Sequence, residues 1–244
     1  SDEEDAPAPR MPCAAASPQA HRDKTPAHGW YNACVARPVK PMELKVNKRA
    51  RDAMQVEWDR LRAVERPDGT KGVWDESSVR EWSKVRREAR IANKKVNVGL
   101  VFGIVVEKNH ELSVDDARRK YKGRAVFQGN HVKDEYGNWA IFAELGSSPA
   151  TMEAARAADC YGLFPGHAVE QSDAEQAYTQ AWLRGTETWV RLPRDQWPQK
   201  WKDEGLDDPV CPLKLALYGH PDSGTDWETY SHDHVMSVGF KPVD

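Results

Sequence analysis

Apolar residues recur at helical spacing over Lys48–Val64, where Ala50, Ala53, Met54, Trp58, Leu61 and Val64 fall near the i, i+3, i+4 positions. The opposite face carries Arg, Asp, Gln and Glu, and Pro67-Asp68-Gly69 supplies turn chemistry beyond it. A second helix is predicted over Glu76–Ile91, with Val79, Trp82, Val85 and Ala89 on one side and a basic run on the other. Val96–Glu107 is a nearly continuous apolar run rich in β-branched residues, which predicts a buried strand. Ala125–Gln128 predicts another, entered through a basic cluster. The two are expected to pair as an antiparallel hairpin across the turn residues of Lys108–Asp116.

The second half alternates in the same way. Gly129–Ser147 reads as a loop holding Tyr136, Trp139 and Phe142, after which Ser148 and Pro149 suit an N-cap and a first helical position. Thr151–Tyr161 is Ala-rich and helical up to Gly162. Val169–Leu183 runs from a short extended segment into a helix-like one, with Asp173 at the junction. The Ala-rich helix is expected to pack behind a sheet that carries Asp173. Glu187–Leu192 reads as a strand, Asp195–Asp208 as a Trp- and Pro-rich surface excursion, and Leu213–Tyr218 as an apolar run leading to Gly219. The last helix is predicted over Asp226–Val238, with Asp226 as cap, Trp227, Tyr230, Val235 and Val238 inward, and Gly239 as stop. Ser1–Pro41 lacks periodicity, is rich in Ala and Pro, and reads as a disordered leader to an α+β domain over residues 42–244.

Composition adds a polarity along the chain. The 244 residues are 39% hydrophobic and 30% charged, with a net charge of −3 that by itself argues against strong nucleic-acid binding. The distribution says more. Arg80–Lys95 carries seven basic residues against two Glu, and Arg118–Arg124 five basic residues and no acid. Trp201–Asp244 carries nine acids against three Lys. The basic runs read either as solvated faces or as contacts to a phosphate backbone. Cys13, Cys34, Cys160 and Cys211 make no C-x-x-C pair, so a zinc site or disulfide framework is not expected and a reducing compartment is. No apolar run approaches the ~20 residues of a membrane span, so no membrane contact is expected. His232 and His234 sit two apart, a poor spacing for joint ligation on a helix.

Two places could carry chemistry. Asp173, at the end of an extended segment, could be a metal-binding carboxylate of the kind that suits Mg²⁺, with Tyr178 aimed at the same pocket; it could equally cap a helix. Lys122 and Arg124 belong to the basic cluster through which the second hairpin strand is entered. They would serve phosphate recognition, the Arg as a fork and the Lys as a point charge, or would guard an exposed edge strand against pairing.

The run V-E-Q-S-D-A-E-Q-A-Y-T-Q-A-W-L resembles motif A of the reverse transcriptases of copia-type retrotransposons, with Asp173, Ala177 and Tyr178 at the matching positions. R-D-A-M-Q-V-E-W-D-R-L resembles the helix that opens that polymerase domain. V-G-L-V-F-G-I-V-V and R-K-Y-K-G-R-A-V-F-Q-G resemble its fingers strands with their Lys-x-Arg element. W-V-R-L-P and V-C-P-L-K-L-A-L-Y-G resemble the lead-in to motif B. The segments fall in the family's order over roughly residues 48–240. The resemblance implies a fingers hairpin and an incomplete palm sheet, acting on an RNA template, a DNA primer and a dNTP, in a cytoplasmic particle or the nucleus. It implies that Asp173 and the Ala174 carbonyl hold Mg²⁺ (or Mn²⁺). Tyr178 would lie under the incoming sugar, Gln176 and Ala177 along the nucleotide pocket floor, and Lys122 and Arg124 would neutralise the triphosphate.

Two departures qualify the implied activity. The family's motif B reads L-Y-G-L-K-Q, whereas here Leu217-Tyr218-Gly219 continues into His220-Pro221-Asp222, placing a carboxylate where the family has Gln. The Tyr-x-Asp-Asp motif, which supplies the other metal carboxylates, is not found: Asp115-Asp116 and Asp207-Asp208 both precede motif B. One carboxylate does not hold two dications. The chain is therefore expected not to polymerise unless downstream carboxylates are supplied, and the alternative is a nucleic-acid-binding remnant without catalysis.

Overall fold

A computed structural model describes residues 36–142, 150–171 and 173–241. The expected leader falls outside the described residues up to Cys34 and Val35, as do Ser148 and Pro149. The architecture is mixed α and β, built on one mixed sheet.

The predicted strand at Val96 is the centre of the sheet. It runs Val96–Lys108 (β3) and gathers partners on both edges. On one edge Lys120–Phe127 (β4) pairs antiparallel with Val101–Lys108, and the two-residue Lys133–Asp134 (β5) continues that pairing at Asn97 and Val98. On the other edge, Ala36–Pro38 (β1) pairs antiparallel with Val106–Lys108, and Glu187–Arg191 (β6) pairs parallel with Val96–Leu100. Pro209–Pro212 (β7) pairs with β6, and Arg80–Glu81 (β2) closes the far edge against β7.

The helix Lys48–Ala63 (α2), capped by the Asn47 side chain accepting from the Ala50 N–H, buries Ala50, Met54, Trp58 and Leu61 as the periodicity predicts. A short helix, Pro41–Val46 (α1), precedes it. Alternate residues of a strand face opposite sides. Accordingly β3 gives Val101 and Val105 to the core beneath α2, where Trp58 meets Trp74 edge-on at 5.9 Å. It gives Val96 and Val98 to a second cluster with Trp82, Val85 and Ala89. Those three lie on the helix Trp82–Ile91 (α3), which starts later than predicted because Glu76–Ser78 is a single 3-10 turn and Arg80–Glu81 is spent on β2.

Four expectations are corrected. Ala36–Pro38, inside the stretch read as leader, is a strand, and Arg37 fixes it by donating to Glu43 and to buried Glu107, each at 2.7 Å. The helix at Met152–Gly162 (α4), capped by Thr151, has no buried residue, so it does not pack behind a sheet. Trp201, on the short helix Gln199–Asp203 (α5) of the supposed surface excursion, is 2% exposed and part of the main core. The last helix, Ser223–Ser237 (α6), begins earlier than predicted and buries Ser223 and Asp226, while Val235 and Val238 are exposed. Among the described residues no helix is long and apolar enough to cross a membrane.

Candidate nucleic-acid interface

The β3–β4 hairpin presents its cations because its other face is taken. Gly123 is the reason α2 can come so close: a Cβ there would lie 2.7 Å from the Ala53 carbonyl oxygen and from the Met54 Cα. With Gly123 and Ala125 turned to α2, the alternating residues Lys122 and Arg124 are exposed, Lys122 opposite Val106 and Arg124 opposite Ile104. Burial lowers the Lys122 ammonium pKa from its usual range, and the nearby cations Arg124, Lys108 and Arg60 lower it further. That mutual repulsion marks a local excess of positive charge, which an anion would relieve.

Arg124 does not wave freely. Its guanidinium carbon lies 5.5 Å from the centroid of the Tyr218 ring. Tyr218 is delivered by the chain after β7: the Phe127 N–H donates to the Tyr218 carbonyl at 2.7 Å, extending the sheet past the end of β4. Tyr178 completes the group, meeting Tyr218 edge-on at 4.6 Å. It sits on the 3-10 turn Ala177–Gln180, entered through Gln176 in the left-handed region (φ 55°). The turn is anchored beyond its end, where Ala216 N–H donates to the Ala181 carbonyl and Leu183 N–H to the Lys214 carbonyl. Arg124 and Tyr178 are thus brought together by a residue, Tyr218, to which sequence reading gave no role, with Lys122 two residues from Arg124 on the same strand. The signal was there in the Leu-Tyr-Gly run, but not its partner.

Asp173 and Ala174 are placed elsewhere. Both are exposed, on irregular chain, and no strand pairs with the stretch around them among the described residues. The expected junction of strand and helix is therefore not present; an extended segment becomes a strand only when its backbone groups find a ladder. Gln176 lines a cleft of about 530 Å³ with Arg66, Glu175, Thr179 and Tyr230, and its Oε1 is buried without a partner.

Among the described residues no three His, Cys, Asp or Glu side chains converge as a metal site would require. The two Asp-Asp pairs have structural partners instead. Arg191 clasps Asp208 through both oxygens at 2.6 and 2.8 Å, while the Glu81 carboxylate accepts from the Asp207 and Asp208 N–H groups. Arg118 holds Asp116, whose carboxyl is drawn down to about 2.

His220 occupies the motif B departure and is buried, 4.8 Å from the Phe127 ring centroid and 5.5 Å from that of Phe142. Its Nδ1 accepts from the Asp222 N–H at 3.2 Å, which leaves the proton on Nε2, facing the Thr188 hydroxyl at 3.3 Å. Asp222 precedes α6 and lines a separate cleft with Arg184, Thr186, Thr225 and Asp226, so its carboxylate does not share the walls of the Gln176 cleft.

No protein-family model, curated protein or solved structure matches this chain.

Proposed function

We propose that this chain is the fingers and part of the palm of a copia-type reverse transcriptase, and that the β3–β4 hairpin is its phosphate-binding element. The observation that carries the reading is the Tyr178–Tyr218 contact. It joins the stretch that resembles motif A to the one that resembles the lead-in to motif B, beside the Lys122–Arg124 pair. Arg124 offers a preorganised fork for phosphate oxygens, steadied by the Tyr218 ring, and Lys122 adds a point charge beside it. The partners are an RNA template, a DNA primer and a dNTP. Asp173, exposed on irregular chain, would need further carboxylates to hold Mg²⁺ or Mn²⁺.

The exposed position of Asp173 favours a second reading, in which the chain binds nucleic acid without catalysing extension. Fluorescence anisotropy with an RNA–DNA primer–template tests what the readings share. Reversal of both cations (Lys122→Glu, Arg124→Glu) should weaken binding and, with two phosphate contacts gone, flatten the log K against log salt slope by roughly 1.8. An unchanged slope counts against the hairpin. Primer extension with Mg²⁺ or Mn²⁺ separates the readings. The chain alone should not extend, and appending a Tyr-x-Asp-Asp segment should give extension that Asp173→Asn abolishes. No gain from the appended segment favours the binding remnant.

A further inference from the structure

The basic run on α3 is not used by the hairpin. Lys84, Arg86 and Arg87 are exposed, and among the described residues none of them is in an ion pair. Lys84 and Arg87 stand three apart, on one stripe of the helix. Beyond α3 the chain turns before β3, and there Lys94 and Lys95 line a cleft of about 910 Å³. Lys94, Lys95 and Lys214 line it, together with Trp182 and the hydroxyl-bearing Thr186 and Thr188.

Three lysines against one acid make this cleft basic. Its one acid, Glu187, is fully engaged: one carboxylate oxygen takes the Lys94 ammonium, and the other accepts from the Trp189 indole N–H at 2.7 Å. Lys95, which is exposed, and half-buried Lys214 have no ion-pair partner among the described residues. Lys214 is held in place through its backbone, accepting from the Leu183 N–H at 2.9 Å and donating to the Val73 carbonyl at 2.9 Å. Trp182, bridged to Leu215 across the same segment, leaves 37% of its surface in solvent, so part of its ring face is open to a ligand. Free cations and an aromatic face in one cleft match a nucleotide unit: phosphate for the cations, base for the ring. A free nucleotide would need nothing beyond the cleft. The exposed cations of α3, the helix that precedes Lys94 and Lys95 in the chain, suit a polymer that extends past the cleft.

We propose that this cleft is a second nucleic-acid site, which binds a single strand by stacking a base on Trp182 and seating phosphates at Lys95 and Lys214. It shares no residue with the hairpin and does not depend on the polymerase reading. The test uses the full chain carrying Lys122→Glu and Arg124→Glu, so that the hairpin is silent, and a fluorescein-labelled single-stranded RNA of about 12 nucleotides. Residual, salt-sensitive binding is expected. Trp182→Ala should weaken it by between fivefold and a hundredfold, roughly the effect of losing one stacked base, whereas Trp182→Phe should keep it within about threefold. Lys95→Gln, at an exposed position, should flatten the salt slope by about 0.7, and adding Lys214→Gln by about 0.7 more. Adenosine monophosphate and inorganic phosphate should compete only weakly. The proposal is overturned if the hairpin-silent chain does not bind the strand, or if Lys95→Gln leaves the slope unchanged. It is also overturned if Trp182→Phe loses binding as fully as Trp182→Ala, or if the mononucleotide competes as well as the strand. Failure of the hairpin reading would look different: there the Lys122 and Arg124 reversals change nothing while the cleft variants still do.

Discussion

The rings of Tyr178 and Tyr218 meet at 76° with their centroids 4.6 Å apart, and Arg124 lies against the second of them. Their separation in sequence makes the contact informative. Tyr178 arrives on a 3-10 turn, Tyr218 on the apolar stretch after β7, and Arg124 on the hairpin. No two of these elements are neighbours along the chain, so the cluster exists only once the sheet is assembled.

Removing the middle ring should therefore affect both neighbours. Tyr218→Ala loses an aromatic pair and a cation–π contact, together worth about 1–3 kcal/mol. It should lower the melting temperature by several degrees and weaken primer–template binding through a freer Arg124. Tyr218→Phe keeps both ring contacts and should leave stability and binding nearly unchanged. Equal loss in the two variants would place the effect in the hydroxyl.

Gly219 sets how closely the Tyr218 segment approaches β4. Its φ is +89°, and a Cβ there would lie 2.1 Å from the Phe127 carbonyl oxygen. Gly219→Ala must both adopt a left-handed conformation and push the backbone off the sheet, costing at least about 2 kcal/mol. Gly137, with φ +91° and nothing within 4 Å, carries only the conformational part. Gly137→Ala should cost about 1 kcal/mol, and thermal unfolding of the two variants separates the contributions.

The elements legible in the sequence are those whose own pattern sufficed. The apolar spacing of α2 and the β-branched run of β3 need only local periodicity, whereas β4 starts at Lys120, five residues before the predicted Ala125, and so takes in Lys122 and Arg124. What was not legible depends on remote partners. β1 is three residues in an Ala- and Pro-rich stretch, held by a ladder to β3 and by Arg37 bonding to Glu43 and Glu107. The candidate site divides the same way. Its cations were found by their pattern, but Tyr218 as their partner and the irregular setting of Asp173 follow from which segments pair, and periodicity does not encode that.

Trp201 gives the same lesson a number. Its surroundings, Asp195–Asp208, look like a solvated insertion, yet the indole is 2% exposed within the main core. Trp201→Ala should cost about 3–5 kcal/mol, the usual range for emptying a buried aromatic site. Chemical denaturation should show it as a lower midpoint. Trp197, half-buried and donating to the Leu192 carbonyl at 2.8 Å, should cost less when replaced by Phe.

Acid should unfold the chain in two successive losses, from two buried groups of opposite type. Burial holds the His220 imidazole down at about 4, below its ordinary 6.5, because a charged ring packed between Phe127 and Phe142 loses its hydration. A base with a depressed folded pKa contributes its stability above the unfolded value and loses it as pH falls, here from about 6.5 to 4, on the order of 3 kcal/mol. Burial alone would raise the Glu107 carboxyl, but hydrogen bonds from Arg119 and Arg37 outweigh it and set it at about 2. Its contribution is complete above about 4.5 and lost between there and 2, on the order of 2 kcal/mol once solvent screening of the arginines is allowed for. Stability measured against pH should therefore fall first through the His220 window and then through that of Glu107. His220→Gln should flatten the profile between pH 6.5 and 4 and leave the lower fall intact. Glu107→Gln should be less stable at neutral pH, since it leaves Arg119 without its carboxylate and Arg37 with Glu43 alone, and should flatten the profile below pH 4.5. A wild-type profile that is level from pH 6.5 to 4 would show that His220 is free to take up a proton in the folded chain, and that the Phe127–His220–Phe142 packing opens to water.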